Sequence, residues 1–333
     1  MGYSVQGKRR LELEEQSSDR ISIFSANLLY MVVMVLFITV GYIVQKRDFK
    51  SGVLITEFLL LALPTIIFTR LNSTSIKREL RLNRLSIIDA VLIVVIFTSG
   101  YWVAVFINLL GQILLSILGQ LITPQIPFAQ SSSEYVILLL VIAGSAGICE
   151  EILCRGYIMR AYERLGMWPS IFISALLFSL LHLNIQNILA PFFLGLLLGF
   201  VVYKTNSIYA GMLGHFINNT VAVTLGFVVM NLPMYKNLGP QAMEQELTTA
   251  SLIGASVLFG IIALFAGAIM LVSLKALSER HGKHVPEIRD AGLFDTMKNI
   301  RLSWPLLVTF IIFVFMMVLE LVLITRGKPM MNI

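Results

Sequence analysis

Apolar runs of membrane-span length recur from one end of this chain to the other, and they settle its solvent. Nine segments are long enough for helices of about 20 residues: 22–44, 52–69, 85–118, 134–157, 168–184, 187–203, 207–230, 249–275 and 303–325. A soluble domain with a large core does not look like this, because 57% of the residues are hydrophobic, only 13% are charged and the mean hydropathy is +0.84. The expected fold is an all-α polytopic membrane bundle of about eight or nine transmembrane helices. The third segment is long enough to be tilted or broken near Ser99-Gly100. The fifth and sixth are short and separated only by Asn184 to Asn187, so they read as a hairpin that does not cross fully.

Positive residues are retained in the cytoplasm, so Lys and Arg in the flanks set the orientation. With the N-terminus inside, 18 of the 25 Lys and Arg residues fall on cytoplasmic flanks and 6 on external ones (Lys46, Arg47, Lys50, Lys236, Arg326 and Lys328), with Arg155 inside a helix. The expected placement is therefore integral in a membrane, the plasma membrane, with the N-terminus cytoplasmic and Glu150 and Glu151 toward the cytoplasmic end of their helix. The net charge of +6 is this topological signal, not a nucleic-acid footprint. The stretch from Arg70 to Arg84 reads either as an ordinary positive-inside loop or as a basic segment lying on anionic headgroups. The first twenty residues lack a cleavable signal, so the first apolar run reads as an anchor.

The chain divides by where its buried polar residues fall. Residues 1–20 form a polar head, 21–133 the N-terminal membrane helices, 134–230 the chemical core and 231–333 the C-terminal helices with a cytoplasmic loop at 276–302. That loop carries His281 and His284 at a metal-compatible spacing, read here as solvated, and an amphipathic stretch from Asp290 to Leu302 that suits a short surface helix. Cys149 and Cys154 point apart on one helix, about 140° around it, so they neither bridge nor form a zinc site. Glu57 and Glu320 are awkward in lipid and read as packing or snorkelling residues. Asp89 lies close enough to the interface to reach water or Arg84.

Chemistry concentrates in three pairs at helical i, i+4 spacing. Glu151 and Arg155 suit a carboxylate-guanidinium pair. Glu150 stands about 100° round from Glu151, so one carboxylate is neutralised by Arg155 while the other faces the bundle interior, poised as a base. Phe178 and His182 set an aromatic wall one turn from an imidazole, and His215 and Asn219 put an imidazole and a carboxamide on one face. A carboxylate, two imidazoles and an amide can activate a water and stabilise the oxyanion formed when it attacks a carbonyl. The bland counterpart is a structural polar network pinning helix to helix.

These motifs, Glu150-Glu151-Ile-Leu-Cys-Arg155, Phe178-Ser-Leu-Leu-His182 and His215-Phe-Ile-Asn-Asn219, resemble the EExxxR, FxxxH and HxxxN signatures of the CAAX-protease and bacteriocin-processing (Abi) family of intramembrane proteases. The resemblance covers about residues 134–230. It implies a membrane fold of about eight helices with a conical, cytoplasm-facing catalytic cavity, and hydrolysis of a peptide bond within it. By position, Glu150 and His182 would activate the water, His215 and Asn219 would form the oxyanion hole, and Glu151 would be the structural partner of Arg155. The family is often labelled metalloprotease, and zinc on Glu150, His182 and His215 would fit its ligand types. No HExxH is present, and direct Glu-His activation without a cofactor is the favoured expectation.

The family implies a membrane-associated or lipidated peptide or protein as substrate, either a prenylated CAAX protein or a peptide linked to pheromone maturation or bacteriocin immunity. Two other classes stay open. A non-catalytic membrane regulator or immunity protein of the same fold predicts that Glu150→Ala and His182→Ala leave the phenotype intact. A transporter or proton relay predicts flux without cleavage.

Overall fold

The computed structural model describes residues 21–73, 75–122, 128–233, 248–282 and 303–326. All regular structure among them is helical. Among the described residues seven helices are long and apolar enough to cross a membrane: α1 (Ile23–Arg47), α2 (Phe49–Asn72), α3 (Ile87–Ser116), α4 (Ser132–Leu165), α7 (Ile208–Asn231), α8 (Thr249–His281) and α9 (Trp304–Arg326). Two are shorter, α5 (Met167–Leu181) and α6 (Leu189–Thr205). The chain is an integral membrane protein. The polar head at 1–20, His284 and the surface helix expected over Asp290–Leu302 lie outside the described residues.

The fifth and sixth segments are short helices, α5 and α6 of 15 and 17 residues, joined by a turn at Ile185–Asn187. The long third segment does not break: α3 runs unbroken for 30 residues. The Ser99 hydroxyl donates a hydrogen bond to the Val95 carbonyl one turn back, which satisfies it within the helix. A Cβ on Gly100 would stand 2.9 Å from Leu197, so that glycine permits close packing of α6 instead of a kink.

Irregularity lies elsewhere. In α1, α2 and α4 the hydrogen bonding widens to the π pattern over Phe37–Gly41, Ile55–Ala62, Leu139–Gly144 and Ile152–Ile158. Such widened turns gather at functional sites, and here two of them bracket Glu150 and Glu151 while a third carries Glu57.

The middle of the bundle is tied by hydroxyls that find partners on neighbouring helices. Tyr30 donates to the Leu177 carbonyl at 2.6 Å, Ser174 to the Cys154 carbonyl at 2.9 Å, and the Ser25 and Tyr157 hydroxyls lie 2.6 Å apart. Unpaired, each group would cost about 1–3 kcal/mol in such surroundings.

One end of the bundle gathers charge. After α2 the chain makes a single turn, Ile76–Glu79, and Arg81 takes a left-handed φ of 53°. Arg81 is buried in an ion pair with Glu163 at the end of α4, and Arg160 bonds Glu163 at 2.8 Å and Glu79 at 3.2 Å. Burial pushes the Arg81 guanidinium below its ordinary value, and the Glu163 charge opposes that. Ile208 at the start of α7 donates to the Arg81 carbonyl at 3.0 Å, and Ser207 to the Asn83 carbonyl at 2.6 Å. Part of the Arg70–Arg84 stretch is therefore folded onto the protein, not laid on headgroups. Ser86 caps the first turn of α3, its hydroxyl oxygen accepting from the Asp89 N–H at 3.1 Å, and the Asp89 carboxylate meets Arg280 at 3.0 Å and His281 at 3.2 Å. Its partners come from α8, not from Arg84.

Candidate active site

Glu151 is fully buried in α4 and organises its surroundings. Arg155, also fully buried, donates to its Oε1 at 2.8 Å, as the i, i+4 spacing predicts. The other arm of the guanidinium donates to the Gly195 carbonyl at 3.1 Å, and its centre lies 4.6 Å above the Phe178 ring. Gly195 is required here, since a Cβ would stand 2.8 Å from the Ala175 Cα and push α6 away from α5.

The same Glu151 Oε1 lies 3.1 Å from His215 Nδ1. A carboxylate engaged by an arginine accepts, so Nδ1 carries a proton and donates. A Cβ on Gly211, one turn before His215, would meet Glu151 Oε2 at 2.5 Å. Glycine at 211 thus leaves room for the carboxylate that orients the imidazole. Sequence reasoning gave Glu151 one partner, and the structure gives it two.

Glu150 faces the other way. Its Oε2 makes no hydrogen bond among the described residues and lies 3.9 Å from His215 Nε2. The order along one line is therefore Arg155, Glu151, His215, Glu150, with the imidazole set between the two carboxylates. That order is what allows a second carboxylate to remain beside the first at membrane depth.

His182 caps the end of α5. Its Nδ1 lies 2.9 Å from the Phe178 carbonyl, and a carbonyl only accepts, so Nδ1 carries the proton and Nε2 keeps a lone pair. The Phe178 ring touches both imidazoles edge-on, His182 at 5.0 Å and His215 at 5.5 Å between centroids. One buried ring thus spaces a cation and two imidazoles. After His182, Leu183 takes a left-handed φ of 49°, uncommon for a branched residue. Glu320 of α9 holds that turn, accepting from the Ile185 amide at 2.6 Å and from Gln186 at 3.0 Å. Read in the sequence as a packing residue, Glu320 instead anchors the turn that presents His182.

Asn219 donates weakly to the Ile142 carbonyl at 3.5 Å, and its Oδ1 accepts from Asn218 at 3.1 Å. Asn218 sets which edge of the Asn219 amide presents N–H.

Glu150, His182, His215, Asn219 and Phe178 line one cavity of about 650 Å³. All four expected catalytic side chains thus reach the same space. Asn218 and Glu57 line it as well. Glu57 is 5% exposed, and its Oε2 makes no hydrogen bond among the described residues. Sequence reasoning took it for packing. The missed signal was Phe49, Val53 and Glu57 on one face of α2, each at four-residue spacing, with all three lining the cavity. Cys149 and Cys154 are buried and unbridged.

Zinc on Glu150, His182 and His215 does not fit this arrangement. Among the described residues no three His, Cys, Asp or Glu side chains stand close enough together to hold a metal ion. The open Nε2 of His182 is a ligand-type group, but its companions are not gathered around a common point.

This constellation sits where the comparison with known families falls. Residues 132–221 match the Rce1-like family of type II CAAX prenyl endopeptidases. The matched segment runs from the first residue of α4 to the middle of α7 and holds all three motifs. It agrees with the resemblance carried by the motifs themselves. No curated protein and no solved structure matches the chain. The Rce1-like segment supplies Glu150, His182, His215 and Asn219, while Glu57 and Glu320 come from helices outside it.

Proposed function

We propose that the chain is an intramembrane endopeptidase of the CAAX-protease kind, cutting a peptide bond of a membrane-associated or lipidated protein or peptide. The observation that carries this reading is the convergence of Glu150, His182, His215 and Asn219 on one cavity, with a proton already assigned on each imidazole by its partner. Such a cavity admits water and an extended segment of chain to groups that lipid would otherwise exclude.

In the proposed reaction Glu150 takes a proton from a water that His182 Nε2 helps to orient. The water oxygen attacks the scissile carbonyl, and the resulting oxyanion accepts from Asn219 Nδ2 and from His215 Nε2. His215 donates from Nε2 only when its ring holds both protons, because Nδ1 is committed to Glu151. The tetrahedral intermediate collapses as the proton held by Glu150 passes to the leaving amine. The mechanism is of glutamate type, and no step runs through a metal. A positioned general base contributes about 10²–10⁴ in rate, and one oxyanion donor about 10²–10³.

The cavity's supports favour catalysis over a purely structural polar network. A network that only pins helices would pair its acids with cations, yet Glu150 and Glu57 line a cavity with no lysine or arginine among its described lining residues. We place the protein in the plasma membrane with its N-terminus cytoplasmic, from the distribution of Lys and Arg. The substrate is either a prenylated CAAX protein or a peptide of pheromone or bacteriocin type.

The test is Glu150→Gln in purified protein. Cleavage of a lipidated or membrane-embedded peptide falls by at least about 10²-fold, with helix content and thermal midpoint kept. The same variant traps substrate for mass spectrometry, which identifies it. Undiminished cleavage by Glu150→Gln sinks the assignment of Glu150 as base. A non-catalytic regulator is the reading left if no wild-type cleavage occurs and Glu150→Gln leaves the cellular phenotype intact.

A further inference from the structure

The cavity runs in one direction on every helix that lines it. On α2 its lining passes from Glu57 through Val53 to Phe49, away from Arg70. On α3 it passes from Tyr101 to Gln112, away from Arg84, and on α4 from Glu150 to Ile142, away from Arg160 and Arg164. On the α5–α6 hairpin it lies at the turn, from Phe178 and His182 to Asn187 and Ala190, far from Lys204. On α7 it passes from His215 to Ala222, away from Ser207. These helices alternate in chain direction, so this agreement is a property of the bundle.

The end left behind is the one where Arg81, Glu163, Arg160, Glu79, Asp89 and Arg280 pair with one another. Among the described residues that end also holds Arg70, Lys77, Arg78, Arg84, Arg164, Lys204 and Lys275, whereas the cavity end holds Lys46, Arg47, Lys50 and Arg326. Positive loops stay in the cytoplasm during insertion. A cytoplasmic N-terminus and a cytoplasm-facing cavity therefore exclude each other in this fold. The charge distribution decides between them.

We infer that the cavity opens on the extracytoplasmic side of the membrane, so that the peptide cut here arrives from the outer leaflet or from outside. This replaces the cytoplasm-facing cavity that the family resemblance implies. The lining at that end suits such a guest. It includes apolar Phe49, Val53 and Leu109 and the amides of Gln112 and Asn187; apolar residues bury side chains and amides read a peptide backbone. A prenylated cytoplasmic C-terminus would reach the opposite, basic end and meet paired charges.

The substrate side rests on the proposed peptidase reading, but the orientation does not, and its test needs no cleavage. Both native cysteines are buried, so single cysteines can be placed in the full chain without removing them. Asn187→Cys and Gln112→Cys report the mouth, and Lys77→Cys, at an exposed position, reports the basic end. Cells expressing each variant are treated with a membrane-impermeant maleimide before and after permeabilisation, with unsubstituted protein as the blank. The expected result is labelling of Asn187→Cys and Gln112→Cys in intact cells at ten-fold or more above the blank, and of Lys77→Cys only after permeabilisation. Labelling of Lys77→Cys in intact cells, or of the mouth positions only after permeabilisation, overturns the inference. Because two mouth positions are used, misfolding of one leaves the other to decide. A cleavage-dead wild type with the expected labelling would sink the peptidase reading and leave the orientation standing.

Discussion

The two ends of the bundle hold the same kinds of residue and treat them in opposite ways. At the basic end every buried carboxylate among the described residues has a cation: Glu163 and Glu79 share Arg81, Arg160 and Arg78, and Asp89 has Arg280. In the cavity Glu57 and Glu150 face each other's space with no lysine or arginine among the lining residues described. Paired charges hold helix ends in register. Unpaired ones hold reactivity that the protein would be more stable without, since an unsatisfied buried polar group costs about 1–3 kcal/mol. Glu151 is the hinge between the two regimes, paired to Arg155 on one side and aimed at His215 on the other.

Breaking that hinge gives the largest expected effect on stability. Glu151→Gln leaves a fully buried Arg155 without its counter-charge and costs about 3–5 kcal/mol, read as a lowered midpoint in thermal or denaturant unfolding in detergent. The double variant Glu151→Leu with Arg155→Met removes both charges and recovers much of that loss. Cleavage does not recover, because His215 still lacks the acceptor that fixes its Nδ1 proton. Recovery of activity along with stability would show that Glu151 is a brace and nothing more.

The sequence made this much legible for a physical reason. Helical spacing is local, so the pairs Glu151 with Arg155, Phe178 with His182 and His215 with Asn219 follow from one element at a time, and all three emerge as expected faces. Which helix faces which is not local. The second partner of Glu151 comes from α7, the neighbour of Glu150 from α2, and the support of His182 from α9. Glu57 and Glu320 illustrate the limit: each is a lone acid in an apolar run, and the four-residue spacing of Phe49, Val53 and Glu57 marks a face without saying what that face meets. Their neighbours tell the two acids apart. Lys and Arg in the flanks carry an expectation of orientation, but the direction of the cavity is not legible in them, because it depends on which side of six helices recedes.

That pair supplies a sharper contrast, in which one substitution has opposite signs at two sites. Glu320→Leu strips the acceptor from the Ile185 amide and from Gln186 and is expected to destabilise by about 1–3 kcal/mol, loosening the turn at Leu183. Its KM is expected to move less than its kcat, since His182 shifts relative to the water it orients. Glu57→Leu removes a buried carboxyl whose Oε2 has no hydrogen bond among the described residues and is expected to stabilise by a similar amount. It lowers cleavage, because the cavity loses one of its two acidic groups. Such a trade of activity for stability is characteristic of residues kept for function. Unfolding midpoints of the two variants moving in the same direction would erase the distinction between the two acids.

The smallest effect is expected at the basic end, and its smallness is informative. Arg280 meets Asp89 at 3.0 Å, but its side chain is 38% exposed while that of Asp89 is 5% exposed. Water screens the arginine, and an exposed pair of this kind contributes about 0–1 kcal/mol. Asp89 also keeps Ser86 at 2.6 Å and His281 at 3.2 Å when Arg280 is lost, so the carboxylate is not orphaned. Arg280→Ala is therefore expected to leave cleavage unchanged and to lower stability by no more than about 1 kcal/mol. The residual loss should shrink as salt rises, because mobile ions screen an exposed cation within about 10 Å at 0.1 M. Asp89→Ala should cost more than Arg280→Ala, since it also removes the acceptor of the Ser86 hydroxyl and the partner of His281. A measured order in which Arg280→Ala is the costlier would mean that α8 is held to α3 chiefly by this charge, and that the paired end is less redundant than its hydrogen bonds imply.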